Sequence, residues 1–296
     1  MRAGPALPGR CGGATVRIRA AALFMAVAVL WGVPYALIKI ALGHGVPALL
    51  IAWTRVAIGA AVLATVAAAR GQLHDLRRHA VALAVIAVCD IAGPFTVLTL
   101  GERRVSSAVA GILVATTPLF VGVLAASTPL TAPGERPGRR GWAGLLLGFA
   151  GVVELLGVQL RGSLVAASLI LLAALGYAVA SLLVRRLDDL APLAISAAAL
   201  AISTVLLAPG AAASLPARAT PAAWAALAAL GVLCTAAAFA LYYKLIAYIG
   251  ATRAALSVYV APVFSVAAGA LILGETLTFN ALAGLTLILT GSWLAR

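Results

Sequence analysis

The sequence predicts an all-α polytopic membrane protein, with ten transmembrane helices in two inverted five-helix repeats. Three observations carry that expectation. First, 64% of the 296 residues are hydrophobic and only 10% are charged, with a mean hydropathy of +1.12. A soluble chain of this length carries about 25% charged residues, so this one lacks the polar surface to cover a globule. Second, the apolar residues come in blocks of about 20, the length of a helix crossing a ~30 Å hydrocarbon layer. Third, one phrase is written twice. "GERPGRRGWAGLLLGFAG" at 134–151 aligns without a gap on "GETLTFNALAGLTLILTG" at 274–291, and seven of 18 positions are identical.

The expected spans are roughly 20–41, 46–68, 80–100, 104–126, 141–158, 163–184, 190–208, 221–244, 252–273 and 277–295. Connectors such as "GHGVP", "GERR" and "TAPGERPGRR" hold the turn and breaker residues. Residues 1–19 are Gly/Pro/Arg-rich and are expected to be a disordered basic tail. A signal peptide also begins with basic residues before an apolar run, but here that run passes 15 residues and nine more spans follow. Residues 20–158 form the first repeat and 163–295 the second.

Charge sets the expected orientation. With the N-terminus inside, Arg2, Arg10, Arg17, Arg19, Arg70, Arg77, Arg78, Arg136, Arg139, Arg140, Arg185, Arg186, Arg253 and Arg296 are cytoplasmic. Only Lys39, Arg103, Arg104, Arg161 and Arg218 lie outside. The bias places both termini in the cytoplasm, in a cytoplasmic (inner) membrane. The net charge of +13 does not indicate nucleic-acid binding, because the arginines sit in short connectors between apolar blocks. Cys11, Cys89 and Cys234 form no metal or disulfide pattern.

The repeat reaches beyond the opening phrase. "AGILVATTPLF" (110–120) aligns with "AALSVYVAPVF" (254–264), setting Pro118 on Pro262. "WGVPYALIK" lies over "GYAVASLLVR", setting Trp31 on Tyr177, and Pro47 matches Pro192. Each repeat holds five spans. Five is odd, so the second copy enters the membrane from the opposite side, which is the symmetry of many secondary transporters.

These residues carry a specific resemblance. Trp31-Gly32 with Lys39, Pro47 followed by Arg55, Pro118 and Pro262, and the two Gly-Glu…Gly frames occur in the order and spacing of a known family. The chain resembles the drug/metabolite transporter superfamily, and within it the ten-span group with two EamA-type domains, over about 20–296. The resemblance implies a transporter, often an exporter, of small metabolites or amphipathic compounds. It also implies a central cavity lined by the first four spans of each half. In one respect the halves differ: Glu135 is followed by "RPGRR", Glu275 by apolar and hydroxyl residues.

Arg55 and Asp90 are the main candidates for substrate binding or coupling. Each lies about 13–15 Å into its span at 1.5 Å per residue. A charge at that depth costs about 2.5–3.5 kcal/mol on insertion scales and needs a cavity or a partner. One reading has Asp90 carrying a proton or holding a substrate amine, with Arg55 tuning it or binding a carboxylate. The other makes the two a structural ion pair. Trp31, Tyr35, Tyr177 and Tyr259 are candidate cavity aromatics, with Trp31 and Tyr35 spaced i, i+4 on one face. Tyr242, Tyr243 and Tyr248 cluster nearby, and helix packing or an interfacial belt is the alternative for all of them.

Pro118, Pro262 and Pro94 are expected gate or kink residues, with Pro34 adding a bend. Pro118 and Pro262 would free the carbonyls of Val114 and Val258 to meet a ligand or water. Glu154 is expected to snorkel, Glu135 and Glu275 to cap the next helix, and Lys244 to lie near the inner surface. His44, His74 and His79 fall in solvated connectors. Gly144-xxx-Gly148 favours close helix packing within one chain.

The expected function is secondary active transport of a small-molecule solute, by alternating access between the repeats. A passive channel or membrane sensor is the alternative. An intramembrane enzyme is less well supported, since the chain has no G-x-S-x-G, no H-E-x-x-H and no His within a span. Lys39 and Lys244 follow no Gly, so there is no Walker A loop. No metal, cofactor or nucleic-acid partner is expected. The lipid bilayer and the solute are the partners, while proton coupling and the choice between monomer and homodimer stay open.

Overall fold

A computed structural model describes residues 13–127, 138–159, 163–184, 186–187, 189–214, 220–249 and 256–294. Among them every regular element is helical. The helices are α1 (Gly13–Gly32), α2 (Pro34–Gly43), α3 (Ala48–Ala69), α4 (Ala80–Ile86), α5 (Gly93–Gly101), α6 (Ser107–Val114) and α7 (Thr117–Ser127). After them come α8 (Arg139–Gln159), α9 (Leu164–Val184), α10 (Pro192–Ala212), α11 (Pro221–Gly231), α12 (Ala238–Ile249), α13 (Leu256–Leu273) and α14 (Phe279–Leu294). Seven helical runs are long and apolar enough to cross a membrane, and shorter apolar helices cover Val260–Leu273 and Phe279–Gly291. The expected basic tail at 1–19 and Glu135 fall mostly or wholly outside the described residues.

Local chemistry sets the helix starts. Pro192 and Pro221 stand in the first turns of α10 and α11, where a missing N–H costs nothing. The Thr220 hydroxyl accepts from the Ala223 N–H at 3.3 Å and caps α11. Pro34 separates α1 from α2 because it cannot donate to the turn before it. Most of the helices carry apolar residues around their whole circumference, as expected in lipid. Val81, Leu271 and Phe279 turn outward with 80%, 86% and 83% of their surface exposed, an apolar belt suited to acyl chains.

Two π-helical turns interrupt the run from α4 to α5 and the run from α11 to α12. They cover Ala87–Ala92 and Val232–Ala237. Each such turn leaves backbone carbonyls without their usual i+4 donors. The Ser203 hydroxyl on α10 donates to the Ala87 carbonyl at 3.0 Å, and the Thr235 hydroxyl donates to the Leu230 carbonyl at 2.8 Å. Both turns fall at matching places in the duplicated sequence, in the third and eighth expected spans.

Repeat-related helices pack on one another. On α8 and α14, a Cβ on Gly151 would meet the Gly284 carbonyl oxygen at 2.9 Å, and one on Gly291 would meet the backbone of Gly144 and Gly148. In the aligned phrase Gly144 matches Gly284 and Gly151 matches Gly291. The contact is therefore reciprocal and antiparallel, first position against last in both directions. Helices α3 and α10 behave alike: Gly210 lies by Leu49, Gly59 lies by Leu200, and the Trp53 indole N–H donates to the Thr204 carbonyl at 3.0 Å. With no hydrophobic drive between helices in lipid, dispersion at such close approach supplies the association. The Gly144-xxx-Gly148 face thus packs within the chain.

The apolar interior forms two clusters. One gathers Ile38, Ile51, Ile112, Ile170 and Leu227, and the other Val56, Leu63, Ile86, Leu193 and Ala236. Tyr177 packs against both and so sits where the two clusters meet.

Candidate functional site

Arg55 is placed by the middle of α3 and is 4% exposed. Its guanidinium lies 4.0 Å from the centre of the Phe95 ring on α5, a cation–π contact. Its Nε has no hydrogen-bond partner. Tyr177, Cys234, Glu102 and Tyr35 stand within electrostatic range of it. Side chains from both halves of the chain therefore surround one buried cation.

Asp90 sits in the first π turn and is half-buried. Tyr177 and Cys89 lie within its electrostatic range. Arg55 and Asp90 form no ion pair. Among the described residues the one contact between acidic and basic side chains at this range is the His79–Asp189 hydrogen bond, at 2.8 Å, joining two connectors. The structure instead sets Tyr177 in range of both charges. Phe95, on the helix that follows the π turn, takes the place beside Arg55.

Trp31 and Tyr35 meet different neighbours. Trp31 packs on Tyr242, with ring centres 4.9 Å apart, and on Phe239 at 6.1 Å. Tyr35 is 8% exposed and lies by Gly111 on α6. The expected shared face is split because Pro34 ends α1 between them. The side chains of Tyr259 and Pro118 lie outside the described part of the structure.

The prolines act in three ways. Pro118 falls in the first turn of α7, after a break at Ala115–Thr116, rather than inside one continuous helix. The Val114 carbonyl is not free there, because the Thr117 hydroxyl donates to it at 2.7 Å. Pro262 stays inside α13, with its own carbonyl accepting from the Ser265 hydroxyl at 3.0 Å. Pro94 opens α5 directly after the π turn and abuts Gly176 on α9.

Glu275 reaches further than the next helix. Gly274 adopts a left-handed φ of 66°, which turns the chain back as α13 ends. The Glu275 carboxylate then accepts from the Ser107 N–H at 2.8 Å, the Ser107 hydroxyl at 2.9 Å and the Ala108 N–H at 3.1 Å. The Ser106 hydroxyl accepts from the Val109 N–H at 3.2 Å. Three orphan donors at the start of α6 are satisfied, two of them from the other half of the chain. The next helix is served by Thr278, whose hydroxyl accepts from the Ala281 N–H at 3.3 Å. Glu154 is exposed and accepts from the Asn280 amide at 2.9 Å, and Lys244 is exposed.

Two cavities open at the Glu275 end of the bundle. One, of about 700 Å³, is lined by Lys39, Pro47, Leu49, Glu102, Arg103 and Ser214, among others. The other, of about 610 Å³, is lined by Arg104, Ser106, Glu275 and Thr278 with their neighbours. Glu102 was missed by sequence reasoning. It is 0% exposed, and neither carboxyl oxygen has a hydrogen-bond partner. In "GERR" it reads as one more solvated connector charge.

This arrangement offers a buried cation, aromatic walls and carboxyl groups at two depths, which suits a polar or amphipathic solute. Among the described residues no three His, Cys, Asp or Glu side chains gather to hold a metal. Comparison with known proteins places the chain. The profile of the EamA-like transporter family matches residues 18–157 and again 164–296. No match was found among curated proteins. A solved structure titled "Crystal structure of protein" is 23% identical, with a TM-score of 0.65, covering 94% of this chain and 97% of its own. At that identity the likeness is one of fold. The family profile spans both halves, and on that ground the chain belongs to the EamA-like transporter family, within the drug/metabolite transporter superfamily.

Proposed function

We propose that the protein is a secondary active carrier, an exporter of a small metabolite or amphipathic compound, working by alternating access between two inverted five-helix repeats. The observation that carries this is the reciprocal antiparallel contact of α8 on α14, with α3 likewise antiparallel on α10. A copy related to its twin by a two-fold axis in the membrane plane packs in that way, and binding sites in such carriers lie between the repeats. The two π turns at matching positions support the same symmetry.

On this reading the solute sits against Arg55, Tyr35 and Tyr177, with Trp31 on the approach and Asp90 as the coupling carboxylate. Pro118 and Pro262 shape the segments that open and close. The arginine bias of the connectors sets both termini on the cytoplasmic side of the inner membrane. The Glu275 end then faces outward.

The test is a solute screen in proteoliposomes, with and without a pH gradient. The proposal expects saturable flux that depends on the gradient and exchanges labelled for unlabelled solute. Flux that rises linearly without saturating would point to a channel, and chemical conversion of the solute would point to an enzyme.

A further inference from the structure

Glu102 is the most unusual polar group in the structure. It is wholly buried, yet neither of its carboxyl oxygens accepts or donates a hydrogen bond. Buried polar groups are ordinarily partnered, and an ionised carboxylate without donors is strongly disfavoured. It borders a cavity of about 700 Å³ that it shares with Lys39. Lys39, half-buried on α2, forms no ion pair with it.

The charged and titratable groups facing Glu102 are Lys39 and Tyr35 from α2, Arg55 from α3, Tyr177 from α9 and Glu275 from the connector before α14. Arg103 and Arg104 follow it in the chain and are exposed, and Arg103 lines the same cavity. Burial raises the Glu102 carboxyl above the usual carboxylate range and Glu275 adds to the rise, while Lys39 and Arg55 act against it. Desolvation is the largest of these effects, so burial favours the protonated form of the carboxyl.

We propose that Glu102 is a proton-binding site whose occupancy is tied to closure of this end of the carrier. When the cavity opens, water reaches the carboxyl, the proton leaves to solvent and Lys39 faces the resulting carboxylate. When the cavity closes, the carboxylate takes one proton back from the water it is about to lose. One proton is taken up for each closure and one is released for each opening. This rests on the alternating-access reading above and adds to it a named site and a stoichiometry.

The test uses the full chain in lipid nanodiscs, so that no sidedness need be assumed. Cys11, Cys89 and Cys234 are replaced. Spin labels are placed at Gly43→Cys and Ser214→Cys, which line the cavity from the two halves. A side chain at Gly43 meets nothing within 4 Å. The ratio of open to closed distances is read as pH is raised. The proposal expects that ratio to climb by about tenfold per pH unit while the closed form dominates, as one-proton linkage requires. Glu102→Gln should stay closed and lose the slope.

A flat profile in the otherwise native protein, or an unchanged slope in Glu102→Gln, overturns the assignment. Should Glu102→Gln fail to reconstitute, Glu102→Asp decides. A carboxyl set back by one methylene shifts the midpoint if this group titrates and leaves it in place if another does. Saturable exchange in proteoliposomes together with a flat distance profile sinks only the Glu102 assignment. Absence of any saturable exchange removes the carrier reading itself.

Discussion

The Glu275 carboxylate and the Ser107 backbone are joined by a 2.8 Å hydrogen bond that crosses from the second half of the chain to the first. The contact is tight enough that a Cβ on Gly269 would fall 2.5 Å from the carboxylate and 2.7 Å from the Ser107 hydroxyl. Glycine is therefore the residue that lets α13 bring Glu275 onto α6. The bond joins the two halves of the chain at this end of the bundle, and under the proposed alternating access it would hold that end closed.

Glu275→Ala leaves the Ser107 and Ala108 N–H groups without their acceptor. Losing a charge-assisted cap costs about 1–3 kcal/mol, a shift of roughly 5–150-fold toward the open form. Distance measurements between labels at Gly43 and Ser214 check this. An unchanged distribution would mean that the cap is not part of the closure.

Gly291→Ala places a methyl group against the backbone of Gly144 and Gly148, which cannot yield as a side chain would. Overpacking of this kind costs about 1–3 kcal/mol. The purified protein should unfold at a lower temperature. Gly43→Ala, with open space around it, should change stability by no more than about 0.5 kcal/mol. Equal melting temperatures for the two variants would show that the seam does not hold the halves together.

Arg55→Leu removes the buried cation and should lower solute exchange by about tenfold or more, since a charged hydrogen bond to a ligand is worth about 1.5–3 kcal/mol. Arg55→Lys should rescue only in part, because an ammonium lacks the planar face that lies over Phe95. Full activity in Arg55→Lys together with loss in Arg55→Leu would reduce the role to a point charge. Full activity in both would remove Arg55 from the binding site.

Asp90→Asn keeps the side chain's size and removes its titration. The pH dependence of flux should flatten while binding of the solute persists. A flux profile identical to that of the native protein would exclude Asp90 from coupling.

The fold was legible where the physics is local. Apolar runs of span length and the duplicated glycine frame were enough to foresee an all-helical membrane chain and the close approach of Gly144 and Gly148, but not the breaks within its runs. Arg55 stood out because a lone charge in an apolar block needs a reason. Glu102 did not, because it belongs to a connector that reads as polar and its burial arises only in the folded chain. The π turn at Asp90 has no sequence signature of its own, and Phe95 lies beside Arg55 where an ion pair with Asp90 was an open reading. The Glu275 cap was expected on the next helix, since sequence shows neighbours in the chain and not across the bundle. The Val114 carbonyl looked free until the Thr117 hydroxyl was seen to fold back on it.

The paired π turns bear on ancestry. Each is in effect a one-residue insertion within a helix, and the two begin 145 residues apart, at Ala87 and Val232. That spacing falls in the 140–146 window that relates the two copies throughout. Two independent insertions at one register are far less economical than a single one followed by gene doubling. A half-length chain that already carried the bulge would leave this register when doubled, and Cys89 and Cys234 still match within the two turns.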